Sequence, residues 1–533
     1  MDPAISELRA EIISAFKLHG FSLKSEATKY LLDTLSKIRS DCDRQDRLDK
    51  IISAVHKQTL ESASLGKDVL ETAVKDCLQR GVEDSNQIFN VLNAFQIPKY
   101  EYDSGRKKFL ERSALNLPEL QLFGTPDDKR NVFLERYTVI YQRLVRHELF
   151  APLKIDVGQH GSSQKYQLLT VEDLLACSST LENVVTFGML AQLKEDKFYL
   201  EDPSGVIQLD LSEAEFQTGL YTENCFCLVE GVFEDGLLTA SAIGFAPIET
   251  SANTLSHHFS SASMESQTMG HFQTKQYSKL LVVERERTDA VLVFLSDFWL
   301  DSPAVLNKFR HLLSGFSDSP PVAIVLAGDF LSKYYGANGA KVLKDGFKSL
   351  AESVQQFPTI SQRTHFVFVP SLRDPFLTDI LPKPPLPTNI VQPFTSKISN
   401  SHLATNPCHL RYCTQDIVVF REDIIEKMCR NSVRAPSIED VKTVENQFAK
   451  TIMSQSHLAP LPLHVSPVYW PYDYTLRLYP LPDLVVCCDK YKAYTEVMSE
   501  CFVTNPGSFA KNNYSFQVYS PATKQIEDSE VDG

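Results

Sequence analysis

The stretch from Asp289 to Phe330 decides the fold class, and its sequence is DAVLVFLSDFWLDSPAVLNKFRHLLSGFSDSPPVAIVLAGDF. Two apolar runs, 291–295 and 322–326, flank a segment whose apolar residues recur at helical spacing. Apolar runs separated by a helical pattern are typical of buried parallel strands joined by a crossover helix. In such sheets ligands bind just beyond the carboxyl ends of the strands. Each run delivers an aspartate there, Asp297 and Asp329.

The composition limits the class of protein. The chain has 533 residues, of which 43% are hydrophobic and 23% charged, so we expect a globular protein of roughly two to four domains. No apolar run is long enough for a transmembrane helix, and no secretion signal is visible at the start, so we expect no membrane partner. Eleven scattered cysteines without a C-x-x-C pair indicate a reducing compartment. The net charge of −14 argues against a protein whose main task is to grip nucleic-acid phosphates.

Residues 1–80 are predicted to form a small helical domain, and residues 81–166 a connecting region. Ser25 is a candidate N-cap for a helix whose apolar residues follow at helical spacing. In the connecting region, 132–149 resembles a helix with several basic side chains. These are Arg136, Arg143, Arg146 and His147. We expect them to lie on a solvated helix face, with contact to a phosphate backbone as the alternative.

Residues 167–248 are predicted to form five or so short strands. The dipeptide Asp235-Gly236 between two of them indicates a tight hairpin. The pattern fits an OB-type barrel, a fold that often binds single-stranded nucleic acid. Residues 181–247, however, hold two basic and twelve acidic residues, a net charge of −10. A groove that follows phosphates cannot be built from these side chains, so we expect the barrel to bind protein.

Residues 249–284 are predicted to be a linker because 250–275 is rich in Ser and Thr and lacks periodicity. Three histidines in this stretch, His257, His258 and His271, could form a metal site. A polar loop is the expected interpretation, and no metal is assigned.

Residues 285–527 resemble a calcineurin-like metallophosphoesterase, followed by a tail at 528–533. That family places its ligands in the blocks D-x-H, G-D-x-x-D, G-N-H-D/E, a lone His and G-H-x-H. They hold two cations about 3.5–4 Å apart. Asp297 matches the first Asp, and Gly328 with Asp329 matches the second block. The phosphoesterase positions of this chain are therefore these three residues.

The remaining ligands of that family are missing from the sequence. Trp299 stands where the first His belongs, Ser332 replaces the later Asp, and Pro370-Ser371-Leu372 occupies the place of Gly-Asn-His. No G-N-H and no G-H-x-H occurs anywhere in the chain. Two carboxylates cannot hold a binuclear centre, so we expect a vestigial site without metal or cofactor. Asp at a strand end also accepts N–H bonds from the following turn, which is the alternative role of both aspartates.

The stretch 466–480 holds a high density of aromatic side chains interrupted by prolines. Rigid aromatic residues are enriched in the cores of protein interfaces. Tyr472 and Tyr474 are therefore candidate partner contacts, and packing within the domain's own core is the alternative. Core packing is favoured for Trp470.

A helical module, an acidic OB-type barrel and a phosphoesterase domain stripped of its ligands together resemble the B-subunits of replicative DNA polymerases. Blocks spread over the chain are similar to the second subunits of the polymerase epsilon type. They include Ala15-Phe16-Lys17-Leu18, Glu201-Asp202-Pro203-Ser204-Gly205, Gln208-Leu209-Asp210-Leu211, Phe294-Leu295-Ser296-Asp297, Asn406-Pro407-Cys408, Tyr412-Cys413-Thr414-Gln415, Val419-Phe420-Arg421-Glu422-Asp423, Pro480-Leu481-Pro482-Asp483-Leu484 and Asn505-Pro506-Gly507-Ser508-Phe509.

The resemblance implies a multidomain α+β protein in the nucleus that acts as a non-catalytic subunit in DNA replication and repair. It implies binding to the zinc-bearing C-terminal region of the polymerase catalytic subunit, contact with other replisome subunits, and contact with DNA only through the complex. Two alternatives belong to other classes: a metal-dependent phosphodiesterase or exonuclease with a degenerate site, and a single-stranded-DNA-binding module. Titration with divalent metal and salt-dependent oligonucleotide binding distinguish them.

Overall fold

The computed structural model describes most of the chain from residue 88 onward and short pieces before it. The described ranges are 14–17, 21–35, 64–66, 88–112, 120–150, 166–195, 197–258, 274–375, 378–435 and 442–531, with a few single residues before 88. The chain forms two units, Met1–Phe89 and Asn90–Gly533. Within the described ranges no helix has both the length and the apolar composition that crossing a bilayer requires.

The first unit contains the predicted helix. Strands β1 (Ser22–Leu23) and β2 (Ser64–Leu65) pair in parallel, and helix α1 spans Ser25–Leu35. Its buried residues Ala27 and Leu31 belong to an apolar core. The predicted helix is present, but Ser25 is its first residue and does not take the predicted N-cap position before the helix.

The second unit begins with the connecting region. Its elements are β3 (Phe89–Asn93), a 3₁₀ turn (Ala94–Gln96), β4 (Tyr100–Asp103), β5 (Lys108–Glu111) and helix α2 (Pro126–Arg146). The Thr125 hydroxyl accepts a hydrogen bond from Asp128 N at 3.3 Å, and the Asp128 carboxylate accepts one from Thr125 N at 2.7 Å. This capping box fixes where α2 starts.

A closed barrel follows the connecting region. Its elements are β6 (Leu168–Leu169), α3 (Val171–Leu175), β7 (Leu181–Lys194), β8 (Lys197–Asp202), β9 (Gly205–Asp210), β10 (Glu215–Phe216), β11 (Phe226–Glu234) and β12 (Leu237–Gly244). The strand order is β10-β12-β11-β7-β8-β9, and β9 also pairs with β12, which closes the sheet. Asp235 and Gly236 have φ angles of 50° and 80°. Two positive φ angles are typical of the tight hairpin predicted there.

Helices occupy part of the predicted linker, so that prediction is wrong for α4 (Ser251–His258) and α5 (Thr274–Glu286). Thr254 and His258 lie one turn apart and are buried. His258 Nε2 lies 2.9 Å from the Gln142 amide oxygen, and burial lowers the pKa of its imidazole to about 4. Polar partners hold α4 in place, so no apolar periodicity indicated it. His257 is exposed, and His271 lies outside the described residues.

The remaining elements form an α/β sandwich. They are β13 (Leu292–Ser296), α6 (Pro303–Gly315), β14 (Ala323–Ala327), a 3₁₀ turn (Gly336–Asn338), α7 (Gly339–Val354), α8 (Pro358–Arg363), β15 (His365–Val369), α9 (Thr388–Thr395), β16 (Ser401–Leu403), β17 (Cys408–Tyr412), β18 (Gln415–Arg421), α10 (Ile424–Arg430), α11 (Val444–Gln455), a 3₁₀ helix (Trp470–Leu476), β19 (Leu484–Cys488), β20 (Tyr494–Met498), β21 (Cys501–Asn505), β22 (Ser515–Ser520) and β23 (Gln525–Glu530). The predicted strand–helix–strand unit is β13–α6–β14, with parallel strands. Because β23 runs to Glu530, the predicted tail at 528–533 begins inside a strand.

Two six-stranded sheets make up the sandwich, in the orders β16-β15-β14-β13-β22-β23 and β20-β21-β19-β18-β17-β3. One apolar core joins α6, α7 and α9 to β13–β15, and another joins α10 and α11 to β18 and β19. Side chains alternate between the faces of a strand. Val418 and Phe420 belong to the core beneath α10 and α11. The next residue, Arg421, therefore points to the opposite face, towards the first sheet.

Helix α2 joins the connecting region to the sandwich through its arginines. The expectation of a solvated face is wrong for Arg136 and Arg143, which are 6% and 5% exposed. Arg136 donates two hydrogen bonds to Asp473, at 2.6 and 3.0 Å. Arg143 donates to the Ser456 hydroxyl at 2.7 Å, and Arg146 pairs with Glu249 at 2.8 Å. Since these guanidinium groups are used within the chain, they do not present a phosphate-binding face.

The barrel is joined to helix α11 by side chains that replace strand partners. The Gln455 amide oxygen accepts a hydrogen bond from Phe226 N at 2.8 Å, and its Nε2 donates to Phe226 O at 2.7 Å. Thr451 Oγ1 accepts from Leu220 N at 2.8 Å. Barrel and sandwich therefore form one continuous unit.

We expect Asp473→Leu to lower the free energy of unfolding by about 3–5 kcal/mol, because it leaves the Arg136 guanidinium buried without its carboxylate. The double variant Arg136→Met/Asp473→Leu should recover most of this loss, since both charges are gone. Urea denaturation of the full chain measures both. The control is Glu426→Leu, which breaks the surface ion pairs of Glu426 with Arg430 and Lys490 and should cost at most about 1 kcal/mol. An Asp473→Leu effect no larger than that of the control would contradict the assignment.

Candidate functional site

The predicted aspartates come together at the carboxyl ends of neighbouring strands. Asp297 follows β13, and Asp329 follows β14 after Gly328. Asp329 N lies 3.5 Å from Asp297 Oδ1. Asp297 is 1% exposed and has a φ of 54°, a left-handed conformation that aspartate tolerates better than most residues. The strand-end geometry expected from the sequence is thus present.

A buried guanidinium occupies the space between these carboxylates. Arg421 is the last residue of β18 and is 1% exposed. Its Nη2 lies 2.6 Å from Asp297 Oδ1 and 3.8 Å from Asp329 Oδ2. Its Nη1 donates to Asp423 Oδ1 at 3.0 Å and to the carbonyl oxygen of Cys488 at 3.1 Å, while Nε donates to the carbonyl oxygen of Gly328. The five N–H groups of a guanidinium are carried by its three nitrogen atoms. Each of these nitrogen atoms has an oxygen partner in this site.

Asn406 fixes the backbone that carries this guanidinium. Its Oδ1 accepts a hydrogen bond from Arg421 N at 3.0 Å, and its Nδ2 donates to Arg421 O at 2.7 Å. Asn406 is fully buried. A side-chain amide that bonds both backbone groups of one residue leaves that residue little freedom to turn away from the site.

A second arginine covers the site from the solvent side. Arg373 Nη2 lies 2.6 Å from Asp329 Oδ2 and 3.1 Å from Asp423 Oδ2, and its side chain is 55% exposed. The Ser371 hydroxyl donates to Asp329. Lys490 Nζ lies 3.7 Å from Asp423. Three carboxylates therefore meet three basic groups, and the site as a whole is close to neutral.

The charges in the site hold one another ionised. Burial acts to lower the pKa of Arg421, but the three carboxylates outweigh it and raise that pKa well above its usual value. Burial acts to raise the pKa of Asp423, but Arg421 and Arg373 outweigh it and lower that pKa. Arg421 and Asp423 therefore both stay charged at neutral pH, as the members of a salt-bridge network do.

The positions where the phosphoesterase family places its other ligands have different partners. Trp299 packs against the core of the first sheet, and Lys511 Nζ lies 5.5 Å from its ring centre. Ser332 donates to Asp301, from N at 2.9 Å and from its hydroxyl at 2.6 Å. A binuclear metal centre does not fit these residues, because the oxygens that would bind cations surround a guanidinium.

Sequence reasoning found Asp297, Gly328 and Asp329 but missed the roles of Arg421, Asp423 and Arg373. Arg421 and Asp423 lie in a block that drew attention only through its family resemblance. A usable signal was present: a charged residue at an inward position of an apolar strand is rarely buried without a partner.

A buried carboxyl group supports the loop that carries Asp329. Asp374 accepts hydrogen bonds from Phe330 N at 2.8 Å and from Ser371 N at 2.7 Å. Burial, with a further contribution from Asp329, raises the pKa of Asp374 to about 6. A Cβ atom on Gly328 would lie 2.1 Å from Asp374 Oδ2 and 2.8 Å from Ser371 N. Only glycine lets the backbone approach this closely.

The two candidate partner contacts, Tyr472 and Tyr474, differ in how deeply they are buried. Tyr474 is 8% exposed, and its hydroxyl donates to the carbonyl oxygen of Ile97 at 2.8 Å. Tyr472 is half-buried and meets the Phe95 ring edge-on at 5.2 Å between ring centres. Trp470 is half-buried and packs against the core beneath α10 and α11. Of the two tyrosines, only Tyr472 keeps appreciable free surface, so the interface prediction continues for it alone.

Three protein-family models match successive parts of the chain. They are DNA polymerases epsilon N terminal over residues 4–77, the OB-fold domain of DNA polymerase epsilon subunit 2-like proteins over 126–247, and the B-subunit of DNA polymerase alpha/epsilon over 292–496. The second match confirms the predicted barrel type. It begins at the first residue of α2, well before residue 167.

Full-length relatives are similar throughout. The chain is 47% identical to DNA polymerase epsilon subunit 2 of Mus musculus, over 99% of this chain and 100% of that protein. It is 38% identical to DNA polymerase epsilon subunit 2 of Drosophila melanogaster, over 100% and 99%. A solved archaeal phosphodiesterase matches 45% of this chain and 98% of its own at 11% identity and a TM-score of 0.26, a likeness too low to support any argument.

We expect Gly328→Ala to lower the free energy of unfolding by about 1–3 kcal/mol, the range for forcing extra volume into a packed site. The matched control is Gly315→Ala at the end of α6, where a Cβ meets nothing within 4 Å. This change should be neutral or stabilising by up to about 1 kcal/mol. Chemical denaturation of both variants decides, and equal effects would show that the close approach at Gly328 is unimportant.

Proposed function

The chain belongs to the DNA polymerase epsilon B-subunit family, and on this basis we propose that it is a non-catalytic accessory subunit of the polymerase epsilon complex. It would work in the nucleus, in DNA replication and repair, by binding and stabilising the catalytic subunit through that subunit's zinc-bearing C-terminal region. The full-length similarity to named epsilon B-subunits supports this assignment.

The sandwich is proposed to be a calcineurin-like phosphoesterase domain that has lost its chemistry. The observation that carries this proposal is the Arg421 guanidinium between Asp297, Asp329 and Asp423. Phosphoester hydrolysis by two metal ions needs an open cation pair that activates a bridging water. The site instead holds the guanidinium of Arg421, a cation that is covalently part of the chain. It presents to solvent no nucleophile and no general base with a shifted pKa.

The barrel is proposed to serve protein contacts. Its net charge of −10 over residues 181–247 opposes a DNA strand, since affinity for nucleic acid comes largely from cations that neutralise phosphates. Arg136, Arg143 and Arg146 of α2 do not compensate, because they bind Asp473, Ser456 and Glu249 inside the chain.

One aromatic surface suits the catalytic subunit. Leu122 and Phe123 precede α2 and are 40% and 82% exposed. They lie beside the 466–480 stretch, because Tyr472 OH donates to Leu120 O at 3.4 Å and a Cβ on Gly124 would lie 3.0 Å from Pro471 Cδ. Neighbouring exposed apolar side chains with a half-buried tyrosine are typical of protein interfaces. We call this surface, formed by Leu122, Phe123 and Tyr472, the aromatic patch.

The purified chain should not hydrolyse phosphodiesters in the presence of Mn²⁺. The expected rate with bis(p-nitrophenyl) phosphate equals that of an Asp297→Asn variant, because neither protein assembles a metal-bound hydroxide. Turnover by the unmodified chain that Asp297→Asn abolishes would refute the proposed inactivity and favour the degenerate phosphodiesterase.

The double variant Phe123→Ser/Tyr472→Ala should weaken binding to the C-terminal region of the catalytic subunit by about 2–4 kcal/mol, the range of interface hot spots. Its melting temperature should fall less than that of a Tyr474→Ala variant, since Phe123 is largely exposed and Tyr472 is half-buried, whereas Tyr474 is buried. Calorimetric titration of the full chain with that region measures the affinity.

The matched control for this experiment is Tyr334→Ala, which removes an aromatic ring that is 91% exposed elsewhere on the sandwich. It should leave the affinity unchanged. A second comparison is Tyr474→Ala, which should lower the melting temperature because that ring is buried. Unchanged affinity in the double variant would remove the aromatic patch from the interface, and failure of the unmodified chain to bind would overturn the proposed function itself.

A further inference from the structure

We infer that Arg421 is an internal replacement for a metal ion, and that shortening its side chain converts the surrounding oxygen atoms into a site for a hard divalent cation. The inference concerns this chain alone. It shares with the proposed function only the inactive state of the unmodified site.

The oxygens around Arg421 form a cage of the kind that binds cations. They are Asp297 Oδ1, Asp329 Oδ2, Asp423 Oδ1 and the carbonyl oxygens of Gly328 and Cys488. The carboxylate oxygens lie 2.6 to 3.8 Å from the guanidinium nitrogens. Among the described residues of the unmodified chain, no group of three or more His, Cys, Asp or Glu side chains is placed to hold a metal ion. The Arg421 guanidinium fills the position between the carboxylates.

The cage joins the two sheets of the sandwich. Asp297 and the Gly328 carbonyl lie at the carboxyl ends of β13 and β14 in the first sheet. Asp423 and the Cys488 carbonyl lie just beyond β18 and at the end of β19 in the second. Without Arg421, Asp297 would be buried without its basic partner, and Asp329 and Asp423 would keep Arg373 and Lys490 on the solvent side. Repulsion and desolvation both oppose a buried carboxylate without a partner, so a cation is favoured at this position.

The donor set specifies the class of cation. All five atoms are oxygens, three from carboxylates and two from carbonyl groups, and neither His nor thiolate is among them. Mn²⁺, Mg²⁺ and Ca²⁺ prefer such ligands, whereas Zn²⁺ favours nitrogen and sulfur. On the solvent side the site is covered by Arg373, whose side chain is 55% exposed, and Asp329 beneath it is 16% exposed. One divalent ion is expected, because the cage surrounds a single guanidinium.

The test uses the full chain with Arg421→Ala in buffer freed of divalent ions. This variant should melt at a lower temperature than the unmodified chain, and 1 mM Mn²⁺ should restore part of the loss. Loss of the free Mn²⁺ signal in electron paramagnetic resonance should report one bound ion, at least tenfold tighter than for the unmodified chain. Adding Asp297→Asn to Arg421→Ala should weaken the binding at least tenfold.

Arg143→Ala is the matched control, since it removes another buried arginine, whose guanidinium donates to the Ser456 hydroxyl and the Ser454 carbonyl. It should lower the melting temperature without rescue by Mn²⁺. If Arg421→Ala does not fold without Mn²⁺, folding with Mn²⁺ supports the inference. Arg421→Gln provides a second variant that keeps a polar side chain. Failure of both variants to fold in either condition, or folded variants that bind Mn²⁺ no better than the unmodified chain, would overturn it. Tight Mn²⁺ binding by the unmodified chain would overturn the proposed inactivity as well.

Discussion

The ionic network around Arg421 is the constraint on which the sandwich depends. Its guanidinium contacts Asp297 and the Gly328 carbonyl from one sheet and Asp423 and the Cys488 carbonyl from the other. Breaking a buried network of this kind by removing one member typically costs about 3–5 kcal/mol, a large part of the stability of most domains. Three features place this one cation. They are the strand register, the close backbone approach that glycine allows at residue 328, and the two hydrogen bonds from the Asn406 amide to the Arg421 backbone.

Arginine–carboxylate pairs also form where α2 meets the sandwich. Arg136 pairs with buried Asp473, and Arg146 pairs with Glu249, whose carboxylate also accepts from Tyr479 OH at 2.8 Å. Guanidinium groups suit these junctions because their planar donors match carboxylate geometry and remain charged when buried. Directional contacts fix orientation better than apolar contacts do, so barrel, helix and sandwich hold one arrangement.

The strands were predictable from sequence because their signals are local. β13 and β14 lie within one residue of the apolar runs that indicate them, and an aspartate closely follows each. The buried arginines could not be predicted from the sequence, because a helix or strand pattern shows which face a residue occupies but not which residue lies opposite it. Arg136 finds its partner 337 positions away, and Arg421 finds Asp297 124 positions away. Helix α4 was missed for a related reason, since Thr254 and His258 are buried through polar partners.

A fold that is held by a buried arginine depends on different conditions from one that is held by a metal ion. A metal site assembles only when the ion is available and its ligands are deprotonated, so its stability varies with metal concentration and pH. Arg421 is covalently part of the chain, its pKa is raised and that of Asp423 is lowered. Arg421 and Asp423 therefore stay charged at neutral pH, and the network needs no ligand from solution. Under the proposed function this matters, because the surfaces around the cage keep their positions whatever ions surround the protein.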